Sequence, residues 1–599
     1  MAYEKNNTLG YLFRYSYTNN HVYLDSIRIQ DDAIHYDENI GVVGHYRFKY
    51  NDREMLPSSY LTTAIDHWGY YNGNPYNVLS IKDFSSFKST RNPNFQYAVA
   101  GSLAEVQYPT GGVSSFVYEP NTYGSCQSDD RQSLLKDNGM GGGLRVKSIT
   151  DYDSPKHTKI LKQRIFEYNI PGSNVSSGEL FATPKYYWPK WSAWCIGNDA
   201  THEVETFRTC SIIPLSNCFG PSLGYSYVTE KVVDLNNPQK YLQKTVYRYS
   251  NLSNTDMKDE KFYLSFSNDQ PSPEDQYSEK GFKRGKLLSV TTYDGQDIKK
   301  ESVAYKYRHD TGMNEQYTYT SNLVYGNNGC SASFGYYGGG IYKLYYPQYD
   351  MTEEVDSTFY SGKNVSVAST EYLKSDTTLV SSIPYKHKTA IRLLKSEKIS
   401  RGNFCLQKNY DYGSWKPYSL TARLHQNYFD LAPQEVEILH NGVFYDKKTI
   451  SYKALDSHIV PSMIVKTYSS GLKDTLVNYV SYTSTCQPLI YKEIGKPTMY
   501  LKWGYKDNYL LMRGTRYIPI SFTDKDVFDE KACLSKEYSL IKSYGHITGY
   551  VYYPLFGILD MIYPNGYIKK YKYDKTGRLV EIYNNDGALL NSYEYNYRK

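Results

Sequence analysis

The sequence predicts an all-β protein: an array of antiparallel β-hairpins forming a curled or spiral sheet, interrupted by loop insertions. Three observations point there. Tyrosine is far over-represented, with 69 residues in 599 against 21 Phe and 6 Trp. Many tyrosines recur two apart, the spacing at which strand side chains return to the same face. Glycine-bearing reversals punctuate these runs, and Asp/Asn-Gly pairs are strong hairpin signals. Aromatic and β-branched residues favour half-buried pleated surfaces. Helical spacing of apolar residues is rare. Residues 524–543, with Val527, Ala532, Leu534 and Leu540, are the best helix candidate.

From the N-terminus, residues 11–52 hold short alternating runs, with Tyr15-Ser16-Tyr17 early and Tyr46-Arg47-Phe48-Lys49-Tyr50 at the end. Asp66-His67-Trp68-Gly69-Tyr70-Tyr71-Asn72-Gly73 is dense in aromatics and closes on a turn pair. Tyr108-Pro109-Thr110-Gly111-Gly112 leads into Phe116-Val117-Tyr118, a hairpin with glycine at its bend. Gly141-Gly142-Gly143-Leu144-Arg145-Val146 opens a strand, and Phe166-Glu167-Tyr168 returns. Further returns are Tyr247-Arg248-Tyr249, Tyr305-Lys306-Tyr307 after Gly285-Lys286-Leu287-Leu288, and Tyr410-Asp411-Tyr412 after Arg392-Leu393-Leu394.

The pattern is cleanest at the C-terminus. Tyr567, Lys569, Tyr571 and Tyr573 share one strand face. Asp574 opens a tight turn and Gly577 closes it, the type I preferences at the first and fourth positions. Asp586-Gly587 makes the next reversal, and Tyr593, Tyr595 and Tyr597 share a face of the last strand. Asp574 is suited to accept from turn N–H groups. Arg578 is suited to bridge a carboxylate or stack on a tyrosine.

Gly566, Tyr571, Tyr573, Asp574, Gly577, Arg578 and Leu579 fill every position of a pattern running Gly, a few residues, Tyr-x-Tyr-Asp, two residues, Gly-Arg-Leu. This stretch resembles the YD repeat of the RHS/YD-repeat family. With the blocks before it, the chain resembles the C-terminal portion of large bacterial cell-surface YD-repeat proteins. The resemblance implies a hairpin sheet and no catalytic residues. Toxin-delivery members carry a self-cleaving Asp-Pro-x-Gly signature with a toxin after it. This chain lacks that signature, which argues against a packaged toxin within it.

Composition excludes several classes. The formal charge of +6 arises from 68 basic and 62 acidic residues, with no dense Lys/Arg run, so no nucleic-acid partner is expected. No stretch approaches the roughly 20 apolar residues of a membrane span, so no transmembrane segment is expected. A mean hydropathy of -0.62 with 40% hydrophobic residues suits thin sheets with a wet face, since tyrosine packs its ring while its hydroxyl finds a partner. The polar start Met1–Asn7 is not a signal peptide, and the repeat-like Tyr15-Ser16-Tyr17 suggests an incomplete N-terminus. The 8 Cys form no Cys-x-x-Cys pair, so no metal ribbon is expected. Cys210 and Cys218 could bridge a loop, with scattered small hydrophobes the plainer reading.

Candidate binding residues lie in insertions. Trp188, Trp191 and Trp194 in Tyr186-Tyr187-Trp188-Pro189-Lys190-Trp191-Ser192-Ala193-Trp194 would stack on sugar or protein if exposed; a satellite core is the plainer expectation. Tyr336 and Tyr337 in the Gly/Tyr-rich stretch 335–346 could make adaptable contacts with a partner, with a mobile surface loop the plainer expectation. Asp66 and His67 are sequence neighbours, which in a strand point to opposite faces and form no dyad. Gly220-Pro221-Ser222-Leu223-Gly224 spells Gly-x-Ser-x-Gly, yet a strand and not a helix follows, so a plain turn is expected. His309, His387 and His546 stand apart. No catalytic residue, cofactor or metal site emerges.

The expected organisation is 1–170 degenerate hairpin repeats, 171–222 an aromatic-rich insertion, 223–309 hairpin repeats, 310–385 a Gly/Tyr-rich insertion, 386–559 hairpin repeats and 560–599 the YD repeat. The leading expectation for function is a non-enzymatic surface or secreted scaffold binding a protein or glycan partner. The alternatives are a carbohydrate-active or peptidase enzyme with its site in an insertion, and a segment of an RHS-type shell enclosing cargo.

Overall fold

The computed structural model describes residues 9–31, 42–76, 84–195, 200–211, 215, 221–254, 257–260, 264–265, 277–308, 317–327, 335–345, 350–374, 378–382, 387–391, 393–412, 433–456, 458–504, 506–518, 545–553, 557–574 and 578–594. It is nearly all antiparallel sheet, and the sheet does not close on itself. The helix candidate 524–543 lies outside the described residues. Among the described residues helix is confined to short pieces such as Phe84–Thr90 and Phe95–Ala98. Two compact units divide the chain, mainly Thr8–Ala368 and Ser369–Tyr597.

In the first unit, strands pair antiparallel mostly in chain order. Leu9–Thr18 pairs with His21–Asp31, which pairs with Val42–Tyr50, then Leu103–Gln107, Val113–Gln127, Leu134–Tyr152 and Ile160–Glu167. The ladder continues through Tyr227–Val233, Tyr241–Tyr249, Leu287–Asp294, Lys299–Arg308 and Asp350–Tyr360. Gly178–Leu180 lies parallel to Val113–Gln127 and antiparallel to Leu223–Tyr225. Two small sheets stand beside the ladder. Tyr187–Cys195 pairs with Ala200–Phe207, and Gly335–Tyr345 lies between Tyr317–Asn327 and Leu264–Ser265. Of the stretch 310–385, Asp350–Tyr360 therefore belongs to the ladder.

In the second unit the ladder runs from Leu394–Arg401 and Phe404–Asp411 through Glu435–His440 and Val443–Leu455 to His458–Tyr468 and Lys473–Tyr482. It goes on through Pro488–Glu493, Thr498–Gly504, Tyr509–Gly514, Ile547–Tyr553, Gly557–Ile562 and Ile568–Tyr573 to Leu579–Tyr583 and Leu589–Ser592. One apolar cluster is fully formed, with Leu511, Met512, Ile518, Ile547, Val551 and Ile562 all buried.

Turn chemistry explains the register. Asn19-Asn20 and Asn441-Gly442 have positive φ at both central residues (48°, 66° and 50°, 79°), the type I′ geometry that matches strand twist. The turn after Tyr563 is a three-residue loop. Tyr563 N–H donates to the Tyr567 carbonyl and Gly566 N–H to the Tyr563 carbonyl. Gly566 sits at φ 81°, the left-handed position that closes such a loop on a bulge. The Asp586-Gly587 reversal is the same loop, not a two-residue turn: Asn584 N–H donates to the Ala588 carbonyl, and Gly587 has φ 81°.

Candidate functional site

The tyrosines make one bond repeatedly. Tyr50, Tyr118, Tyr168, Tyr307, Tyr412 and Tyr573 donate their hydroxyls to the backbone carbonyls of Leu24, Leu103, Val146, Leu287, Leu394 and Ile558, at 2.6 to 3.1 Å. Tyr482 does the same to Pro461. Trp503 substitutes its indole N–H, donating to the Pro488 carbonyl at 2.8 Å.

The geometry follows from strand register. Ser289 faces Ala304, so two places outward Leu287 faces Lys306, and Tyr307 is the next residue. Ser396 faces Asn409, so Leu394 faces Asp411, and Tyr412 is next. The clasp tyrosine thus stands one residue beyond the position opposite its acceptor. Burial pushes the phenols of Tyr50, Tyr118, Tyr412, Tyr482 and Tyr573 above their ordinary value, and that of Tyr168 to about 12.

Three buried polar nodes hold the first unit together. In one, Arg145 donates Nε–H to Glu119 Oε1 at 2.7 Å and an Nη1–H to the Tyr225 hydroxyl at 2.9 Å. Its guanidinium stacks over Tyr168 at 4.4 Å and lies 5.2 Å from the Tyr225 ring. In the second, Asp259 accepts from Arg131 and Arg284, each at 3.0 Å. Arg284 and Asp259 are only 3% and 2% exposed, a desolvated pair that needs all its partners. Glu260 beside it accepts from Lys280 at 2.7 Å and the Tyr345 hydroxyl at 2.6 Å. That second bond ties the Gly/Tyr-rich strand to the ladder side.

The third node contains Asp66 and His67. The backbone there is a turn, with Asp66 N–H donating to the Tyr70 carbonyl. Asp66 Oδ1 accepts from the N–H groups of Trp68 and Tyr70, both at 2.9 Å. The His67 ring bonds the Tyr186 hydroxyl at 2.7 Å, and its other nitrogen bonds Asn92. Burial lifts the Asp66 carboxyl to about 6 and lowers His67 to about 4. Shifts of this kind often mark active sites. Here each group is spent on its own turn or neighbour, and the two do not bond each other. Arg91 donates to the Asp66 carbonyl and stands over Tyr76 and Tyr186.

The predicted repeat residues come together. Arg578 donates its backbone N–H to Asp574 Oδ1 at 3.0 Å and its Nε–H to Oδ2 at 2.7 Å, so Asp574 is the carboxylate that Arg578 bridges. Tyr571 lies against Met561 and Tyr573 faces Leu579 across the ladder. Gly577, Tyr595 and Tyr597 lie outside the described residues. In backbone terms Trp188, Trp191 and Trp194 face Thr206, Val204 and Thr201. Tyr336 and Tyr337 face Gly326 and Tyr325. The side chains of these five lie outside the description. Ser222 precedes the strand Leu223–Tyr225 and no helix follows it. Cys210 is a free thiol. Among the described residues no cluster of His, Cys, Asp and Glu could hold a metal ion, and no helix is long and apolar enough to cross a membrane.

Sequence reading missed Arg145, Asp259 and Arg284. Arg145 carried a signal: it follows Gly143-Leu144, as Arg578 follows Gly577 in the terminal repeat.

No family model matches the chain, and no curated protein matches it. Among solved structures it is similar to a chain of TcdB2-TccC3-TEV, at 7% identity and TM-score 0.37 over 97% of this chain and 28% of that one. It is also similar to a chain of the Photorhabdus luminescens Tc holotoxin pore, at 8% identity and TM-score 0.36 over 81% of this chain and 24% of that one. A third is TcdB2-TccC3-Cdc42, at 7% identity and TM-score 0.34 over 83% and 25%. The chain spans about a quarter of the length of these solved chains. Likeness at such TM-scores carries no argument about activity.

Proposed function

We infer that the chain is a non-catalytic YD-repeat scaffold, exposed at a cell surface or secreted, that engages a protein or glycan partner. One observation carries this reading: the recurrent bond from an aromatic side chain to the carbonyl one strand back. Tyrosine is the polar group this chain has in abundance, and eight positions, seven tyrosines and one tryptophan, are committed to holding hairpins shut, seven of them in the same register. The most shifted acid and histidine are likewise committed to structural bonds, Asp66 to its own turn and His67 to Tyr186 and Asn92. Such spending of titratable groups suits a frame that presents loops. The insertions that carry Trp188, Trp191, Trp194, Tyr336 and Tyr337 are the contact regions this reading assigns.

A wall segment of an RHS-type shell around cargo is the second reading. It draws on the same ladder and on the Arg145–Tyr168–Tyr225 stack, which would give a wall a rigid polar-aromatic lining.

The test is a screen of the purified chain against chromogenic glycosides and fluorogenic peptides. The scaffold reading expects no turnover above buffer. Turnover that disappears in Asp66→Asn would overturn it.

A further inference from the structure

We propose that the hairpin tips at one end of the second unit's ladder dock on an anionic lipid surface. This goes beyond the scaffold reading, which names a protein or glycan partner.

The tips share an end because the strands alternate. Leu394–Arg401 turns into Phe404–Asp411, Glu435–His440 into Val443–Leu455, His458–Tyr468 into Lys473–Tyr482, and Pro488–Glu493 into Thr498–Gly504. Antiparallel pairing between these hairpins sets their four reversals at the same end. Tyr509–Gly514 runs out at that end too, into Thr515-Arg516-Tyr517. Reversals two strands apart stand about 10 Å from each other.

Each of these tips holds a large apolar side chain in water. Phe404, Val443, Leu472, Ile494 and Tyr517 are 48%, 70%, 70%, 48% and 67% exposed. Turns normally carry polar residues, and a single exposed apolar side chain means little. Five successive tips at one end form a pattern. At the described reversals of the opposite end, after Leu455, Tyr482 and Gly504, the exposed residues are Asp456, His458, Ser484, Thr485, Lys506 and Asn508. Val480 is exposed nearby, within a strand and not at a tip.

Charge says what covers the row. Arg401, Lys473, Lys496 and Arg516 are exposed among the tips. Glu493 is the one carboxylate in the stretches 401–404, 440–443, 468–473, 493–498 and 514–517, and it pairs with Lys496. Among the described residues Arg401, Lys473 and Arg516 make no ion pair. Separate apolar points with cations between them form no groove for a peptide, and Val, Leu and Ile offer a sugar no ring to stack on. A lipid interface accepts such points, because its headgroups move aside for each side chain while anionic headgroups meet the cations.

The probes are vesicles of phosphatidylcholine alone and of phosphatidylcholine with phosphatidylserine at about three to one. Binding of the full chain is read by co-sedimentation. The expected result is binding to the mixed vesicles and far less to phosphatidylcholine alone. Arg401→Gln with Lys473→Gln weakens it about 25-fold, about fivefold for each cation. Val443→Ser with Leu472→Ser weakens it about tenfold. Lys506→Gln, at the opposite end, changes nothing. All five side chains are exposed, so the variants keep the fold, which circular dichroism checks. Binding to both vesicle types alike, to neither, or with undiminished strength in either pair of tip variants would overturn the proposal. So would equal weakening by Lys506→Gln, or tip-dependent binding of poly-glutamate or of a second copy of the chain in place of vesicles. Failure here leaves the scaffold reading standing, because that reading falls to catalytic turnover, which vesicles do not probe.

Discussion

The Tyr573 hydroxyl donates to the Ile558 carbonyl at 2.9 Å, one strand back and fifteen residues earlier. The relation between these residues recurs from Tyr50 and Leu24 onward. It gives the Tyr-x-Tyr motif a physical role. The second tyrosine pins the open end of a hairpin, the end that no turn closes. Phenylalanine would fill the same space without the donor. Tryptophan at 503 retains a donor and makes the equivalent bond.

The Asp574 turn is the neighbouring device. Replacing Asp574 with alanine strands the Arg578 backbone N–H and guanidinium, at a cost of about 1 to 2 kcal/mol for these partly exposed charge-assisted bonds. Asp574→Asn keeps an acceptor for the backbone and costs less. Amide exchange in Ile568–Tyr573 and Leu579–Tyr583 reads the difference; equal exchange in both variants and the parent would refute the role.

The clasp phenols make stability depend on alkaline pH. Burial holds those of Tyr50, Tyr118, Tyr412, Tyr482 and Tyr573 above the ordinary tyrosine value near 10 and that of Tyr168 at about 12. A raised acid binds its proton longer in the folded state than in the unfolded one. The stabilisation is whole below pH 10 and is lost as pH rises towards 12. Tyrosinate absorbance and circular dichroism, followed together through that window, should show the first unit unfolding as the phenols ionise. Ionisation of all tyrosines near pH 10 with the fold intact is the contrary outcome.

Asp66 and His67 oppose each other in acid. With Asp66 raised to about 6, its contribution is full below about pH 4 and is lost as pH rises through 6. With His67 lowered to about 4, its contribution is full above about pH 6.5 and is lost as pH falls through 4. The two slopes nearly cancel in the parent protein. Asp66→Asn should therefore lose stability on acidification between pH 6.5 and 4, and His67→Gln should gain it. Denaturant midpoints across that range measure the signs, and slopes of the same sign would contradict the assignment.

Asp259→Ala should be far more damaging than any surface change. It leaves Arg284, 3% exposed, without its main counter-ion, a loss of about 3 to 5 kcal/mol for a broken buried pair. Thermal melting of the first unit checks it. A shift no larger than that of an exposed control such as Lys363→Ala would show the node to be ornamental.

Much of the hairpin pattern was legible because it is local. Tyr305-Lys306-Tyr307 and Tyr410-Asp411-Tyr412 carry strand periodicity in three residues, and Asn441-Gly442 specifies its own turn. The Asp574–Arg578 pairing was legible for the same reason, since both ends of the bond lie in one loop. The nodes were not legible. Arg131 and Asp259 are 128 residues apart, and His67 and Tyr186 are 119 apart. Nothing local in either partner announces the other. The clasp lay between these cases: its donor motif was plain, while its acceptor is a backbone carbonyl, which leaves no mark in side-chain identity.

The most direct measurement compares Tyr168→Phe and Tyr573→Phe with Tyr17→Phe by native-state hydrogen exchange, which reads each unit separately. The clasp account predicts that the two clasped positions lose about 1 kcal/mol of local opening free energy each, the worth of one hydrogen bond, and that Tyr17→Phe loses none. Equal effects at all three positions, or none at 168 and 573, would contradict it.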